Sequence, residues 1–170
     1  MKGAGKTTIG SILAKACRMK FIDLDRLIEQ KYQKLTNEQL SCRAIYTKEG
    51  RNYFEALESE SLQSIRETSI VVSTGGGTPL DKENQKTLKS LGTIVYLEES
   101  FDILAERILK LGIPAYIKDK DNAHEELRKR YEKRAIVYKQ IADHTITCNG
   151  RRPDEVVNEI IKMLDIYDTN

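Results

Sequence analysis

The sequence predicts an α/β protein with a mainly parallel sheet, and three observations carry that prediction. Short β-branched runs alternate with amphipathic stretches of helical period along the 170 residues. A helix pattern opens directly out of a glycine-rich run, GAGKTT at positions 3–8. Two apolar runs, FID and IVVS, lead into an acidic pair and a triple glycine, at the strand ends where open sheets of this class bind ligands.

Taken in order, KTTIGSILAKAC (6–17) repeats apolar residues at Ile9, Ile12, Leu13 and Ala16, one face of a helix. MKFIDLD (19–25) reads as a strand running out into acids, and DRLIEQKYQ (25–33) as helix. Residues 37–67 give two helices with Gly50 near their junction. SIVVST (69–74) is a buried strand by its β-branched run and feeds the loop Gly75–Gly76–Gly77. KENQKTLKSL (82–91) is a polar amphipathic helix, TIVYLE (93–98) a strand, and SFDILAERILKL (100–111) a helix with Ser100 as its cap. GIPAYIKDKDN (112–122) mixes glycine, proline and charge without period, so it is a loop. A long charged helix (124–143), the strand HTITC (144–148) and a last helix with Pro153 near its first turn complete the chain. Phosphate loops follow buried strands, and the full loop pattern needs a glycine one place upstream of Met1. The first strand of the sheet is therefore expected to be missing, before Met1.

Composition narrows the class. One domain over residues 1–170 is expected, with a lid loop near 110–122. The 39% hydrophobic and 32% charged residues suit a soluble globular chain, and a net charge of +2 is too small to argue for nucleic acid. Cys17, Cys42 and Cys148 are odd in number and widely spaced, without zinc-ligand spacing. No apolar run has membrane length, and Lys2 is followed by a glycine loop rather than the apolar core of a signal peptide. A cytoplasmic monomer with reduced thiols and no membrane partner is expected.

The chemistry concentrates in three places. Backbone N–H groups of Gly3, Ala4, Gly5, Lys6, Thr7 and Thr8 can wrap a nucleotide phosphate, with the positive end of the first helix aimed at it. Lys6 would reach the β- and γ-phosphates of ATP, and Thr7 would ligate Mg²⁺. Asp23 and Asp25 flank Leu24 at strand period and so point the same way. One could hold Mg²⁺ through water while the other accepts a hydrogen bond from the hydroxyl to be phosphorylated. Gly75, Gly76 and Gly77 suggest close backbone approach to a ligand. Elsewhere the bland readings win: His124 and His144 have no catalytic partner, most of EELRKRYEKR is a solvated face, and Cys17 and Cys148 belong to the core.

Together the G-x-G-K-[ST] loop, the D-x-D pair, the G-x-x-x-F spacing at Gly50 and Phe54, and the triple glycine resemble the shikimate kinase family over essentially the whole chain. The resemblance implies a three-layer P-loop kinase-like fold and transfer of the γ-phosphoryl of ATP to the 3-hydroxyl of shikimate with Mg²⁺, in aromatic amino-acid biosynthesis. It implies roles by position. Lys6 matches the phosphate lysine, Thr7 and Asp23 the metal side, and Asp25 the residue that binds the substrate diol and takes the proton. Gly75 to Gly77 match the backbone that holds the substrate ring, and Arg134 an arginine on the substrate carboxylate. Arg151 or Arg152 falls where an arginine packs on adenine, a cation over an aromatic face.

Two positions depart from the family pattern. In GRNYFEALE, Glu55 stands where an arginine for the substrate carboxylate belongs, and Arg51 where the family has glutamate. Either Arg51 reaches the substrate from one turn away, or the site lacks a bidentate partner. In the lid loop, Ile113 precedes Pro114 where the family carries arginine, with Lys110, Lys118 and Lys120 as possible substitutes. These departures leave two competing readings: a same-fold kinase for another polyol acid, and a degenerate homologue that binds nucleotide without turnover.

Overall fold

The computed structural model describes residues 1–114, 117, 119 and 121–166. Every predicted element forms. Helix α1 (Lys6–Ala16) is followed by strand β1 (Lys20–Asp23), then by α2 (Leu24–Thr36), α3 (Cys42–Glu49) and α4 (Arg51–Gln63). Strand β2 (Ile70–Ser73) leads through the triple glycine into a 3-10 turn, Thr78–Leu80, which the sequence did not announce. Then come α5 (Lys82–Leu91), β3 (Val95–Glu98), α6 (Phe101–Lys110), α7 (Ala123–Ile141), β4 (His144–Thr147) and α8 (Pro153–Leu164). Side chains set several helix starts. Ser41, Asp81 and Ser100 each accept a first-turn N–H, and Pro153 occupies the first turn of α8.

Alternation along the strands sorts the helices into two outer layers. Ile22, Ile70 and Val72 face a core of Leu24, Ile28, Tyr32 and Leu62 from α2 and α4. Val71, Val95 and Leu97 face the opposite core, Ile9, Leu13, Val156 and Ile160 from α1 and α8. Leu24, Ile28, Tyr32, Ile45 and Leu62 are wholly buried, each stabilising the fold by roughly 1.5–3 kcal/mol. The result is the expected three-layer α/β arrangement.

The strands pair in parallel, as expected, in two ladders: β1 with β2 (Lys20↔Ile70 to Asp23↔Ser73) and β3 with β4 (Val95↔His144 to Glu98↔Thr147). Between β2 and β3 lies an apolar cleft of about 450 Å³, with Ile9, Leu13, Tyr138 and Ile160 in its walls. The strand edges facing it have no strand partner among the described residues. One expectation needs correction: Asp23 and Asp25 do not share a strand. Asp23 closes β1 and its carboxylate accepts the Asp25 N–H at 3.0 Å, so the chain turns into α2 at once and Asp25 lies in the first helical turn. Among the described residues no helix is long and apolar enough to cross a membrane.

Candidate active site

The glycine-rich run folds as a phosphate cradle. Gly3 (φ 84°) and Gly5 (φ 76°) take left-handed backbone that other residues avoid. Gly5 caps α1 with no side chain, which leaves the first-turn N–H groups free to meet an anion at the positive end of the helix. The loop is anchored from below by Ala4, packed with Met1, Tyr96, Leu104 and Tyr138. It is also gripped from the side, because Arg107 Nη1 donates to the Gly3 carbonyl at 2.9 Å. Arg107 is held in turn by Glu99 at 3.2 Å, and Glu99, 2% exposed, also accepts the Gly150 N–H.

Lys6 and the two aspartates meet at the mouth of this loop. Lys6 Nζ donates to the Met1 carbonyl at 2.7 Å. Burial lowers its pKa, while the charges of Asp25 and Asp23 hold it up and Arg134 opposes them. The Thr7 hydroxyl donates to Asp23 Oδ2 at 2.9 Å, which sets two hard oxygen donors side by side. Mg²⁺ takes few protein oxygens beside phosphates and water, so this pair fits it. Among the described residues no group of three or more His, Cys, Asp or Glu side chains gathers to hold a metal. Asp25 keeps an open face to solvent, yet burial of its inner side raises its pKa; Asp23 adds to the rise and Lys6 opposes it.

The triple glycine runs between these groups and the far wall. A β-carbon on Gly75 would stand 2.8 Å from Glu58 Oε1 and 3.4 Å from Asp25 Oδ1. One on Gly76 would stand 3.4 Å from the Met1 backbone and 3.5 Å from Arg134 Nη1. Tyr138 fixes the loop by donating to the Gly76 carbonyl at 2.6 Å. Glu58 is 6% exposed and accepts the Thr78 hydroxyl at 2.7 Å. Burial pushes its pKa up to about 7, against the pull of that hydroxyl, with the charges of Asp25 and Glu55 adding to the rise.

The structure thus gathers Lys6, Thr7, Asp23, Asp25, Gly75, Gly76 and Arg134 in one place. Arg51 is not gathered: its Nε holds Glu55 at 2.8 Å, with both side chains largely in solvent. Arg151 pairs with Glu159 at 2.5 Å, and Arg152 caps α8 with Glu155. Lys110 pairs with Glu106, while Lys118 and Lys120 lie outside the described residues. His124 stacks edge-on against Phe101, and Cys148 is buried in the core. Sequence reasoning missed Glu58 as a site group, and also Glu99, Arg107 and Tyr138. The available signal for one pair was an acid closing a strand run with a base two turns along the next helix, Glu99 and Arg107.

Comparison with known proteins points to one family. A sequence model of the family described as shikimate kinase matches residues 2–165. The shikimate kinase of Thermus thermophilus is 36% identical over 163 residues, covering 95% of this chain and 85% of that protein. That of Sulfurihydrogenibium sp. is 32% identical over 160 residues, covering 94% and 90%. The solved shikimate kinase from Acinetobacter baumannii in complex with shikimate superposes with a TM-score of 0.85 at 28% identity, over 95% of this chain and 87% of that one.

Proposed function

The chain belongs to the shikimate kinase family, and from that premise we propose that it moves the γ-phosphoryl group of ATP onto the 3-hydroxyl of shikimate. The observation that carries this reading is the meeting of Lys6, Asp25 and Gly75, where the phosphate cradle and an acceptor platform share one wall. The loop N–H groups and Lys6 hold the β- and γ-phosphates while the acceptor lies over Gly75 to Gly77, its carboxylate on Arg134. The acceptor oxygen attacks the γ-phosphorus as the bond to the bridging oxygen breaks, the hydroxyl proton passes to Asp25, and ADP leaves. Raised above the ordinary aspartate range, the Asp25 carboxylate is a stronger base for that proton. Thr7 and Asp23 would hold Mg²⁺, which neutralises phosphate charge when bound. Arg151 or Arg152 would lie along the adenine. All these groups come from one chain, which suits a monomer working on cytoplasmic metabolites.

The test is coupled ADP release with Mg²⁺-ATP and shikimate. Shikimate-dependent turnover is expected, with Asp25→Asn lowering kcat by roughly 10²- to 10⁴-fold and leaving nucleotide affinity unchanged. The Arg51–Glu55 pair favours a second reading, since it leaves Arg134 as the arginine facing the acceptor loop. Phosphorylation of gluconate but not shikimate would move the assignment to another polyol acid.

A further inference from the structure

A guanidinium with no acid beside it stands at the edge of this site. Arg43 lies in the first turn of α3, is exposed, and donates from Nη2 to the carbonyl of Ile113 at 3.3 Å. Among the described residues that neutral carbonyl is its hydrogen-bond partner, and no carboxylate lies within ion-pair distance. A guanidinium has five N–H donors, so most of its bonding capacity is unused. Most other cations around the site are engaged. Arg107 holds Glu99 and Gly3, Arg51 holds Glu55, Lys110 holds Glu106, and Arg151 and Arg152 hold acids of α8.

The placement of Arg43 is fixed from both sides. Its neighbour Cys42 donates its Sγ–H to the Asp25 carbonyl at 3.3 Å and its N–H to Glu29, which seats the start of α3 against the acceptor base. Ile113 closely follows α6, and α6 carries the Arg107 that grips the phosphate loop. Arg43 therefore links the start of α3, seated beside Asp25, to the segment that follows α6.

In phosphoryl transfer, charge spreads over the equatorial oxygens of the moving group, and an arginine brought to them can dominate the rate. Resting on the kinase reading, we propose that Arg43 is that arginine. Its guanidinium leaves the Ile113 carbonyl and donates to the transferring phosphoryl, supplying from α3 a charge that the segment after α6 lacks at position 113.

The test measures binding of a fluorescent ADP with Mg²⁺, with and without aluminium fluoride, a mimic of the transferring phosphoryl. Arg43→Gln should weaken the fluoride complex at least tenfold and leave ADP alone unchanged. Ile113→Arg should restore the fluoride complex in the Arg43→Gln background, because its side chain starts where the Arg43 guanidinium now ends. With shikimate, Arg43→Gln should lower kcat at least tenfold at nearly constant KM, with partial recovery in Arg43→Lys. Unchanged fluoride affinity, or an equal loss for ADP alone, overturns the role. A rise in KM for shikimate at constant kcat would instead place Arg43 on the acceptor carboxylate, and so also overturns it. A wild-type chain that binds the fluoride complex but ignores shikimate would sink the acceptor assignment while still reading Arg43. One that does neither overturns both.

Discussion

At the proposed phosphate end of the site, six consecutive residues, 3–8, carry the backbone donors, the lysine and the threonine hydroxyl. At the proposed acceptor end, Asp25, Glu58, Gly75 and Arg134 come from α2, α4, the loop after β2 and α7. The first end depends on backbone torsions, and its donors survive most side-chain changes. The second depends on packing between distant elements, where a displaced neighbour matters as much as a lost functional group.

The largest expected effect tests how far backbone alone serves the phosphate end. Lys6→Met keeps every loop N–H, so nucleotide should still bind by calorimetry while kcat falls about 10³-fold. Activity within tenfold of wild type would mean that the backbone cradle suffices. Glu58 sharpens the other half of the comparison. Burial raises its carboxyl from 4.5 to about 7, so the folded protein holds that proton more tightly than the unfolded chain does. The stability it contributes is complete below pH 4.5 and declines as the pH rises towards 7, by on the order of 3 kcal/mol. Denaturant melts across that window should show the decline in wild type and flatten in Glu58→Gln, whose amide oxygen can still accept from Thr78. A decline that persists in the variant assigns it to other groups, with Asp25 the first candidate.

Smaller effects separate neighbouring glycines. Gly75→Ala forces a β-carbon against Glu58 and should cost roughly 1–3 kcal/mol, read as a higher KM for shikimate or a lower melting temperature. Gly77→Ala meets nothing nearer than 4.0 Å and should be close to neutral. Equal effects would show that conformational freedom, rather than space, is what the triple glycine provides. The smallest expectation concerns Arg51→Ala. An exposed pair contributes less than about 1 kcal/mol, so stability and KM for shikimate should barely move. A tenfold rise in KM would show that Arg51 leaves Glu55 to reach the substrate.

The same contrast explains what could be read from the chain before its fold. Gly5, Lys6 and Thr7 announce themselves because loop, helix start and chemistry share one local stretch. Ser100 and Pro153 mark helix starts through local backbone rules, and both hold. Asp25 was found but misplaced on a strand, because capping by Asp23 overrides an alternation read over three residues. Glu99, Arg107 and Gly150 were invisible as a unit, since their bonds join residues 8 and 51 apart. Arg51 was legible as a charge in place, but whether it turns to substrate or to Glu55 is decided by side-chain geometry that spacing does not encode.

The clamp on the Gly3 carbonyl has a mechanical consequence. Glu99, just past the end of β3, holds both Arg107 and the Gly150 N–H, and Arg107 holds Gly3. One buried carboxylate thus ties the glycine loop to α6 and to the turn before α8. In-line transfer loses roughly 10²-fold for a misplacement of about 1 Å. A side chain behind the loop therefore serves as its anchor bolt.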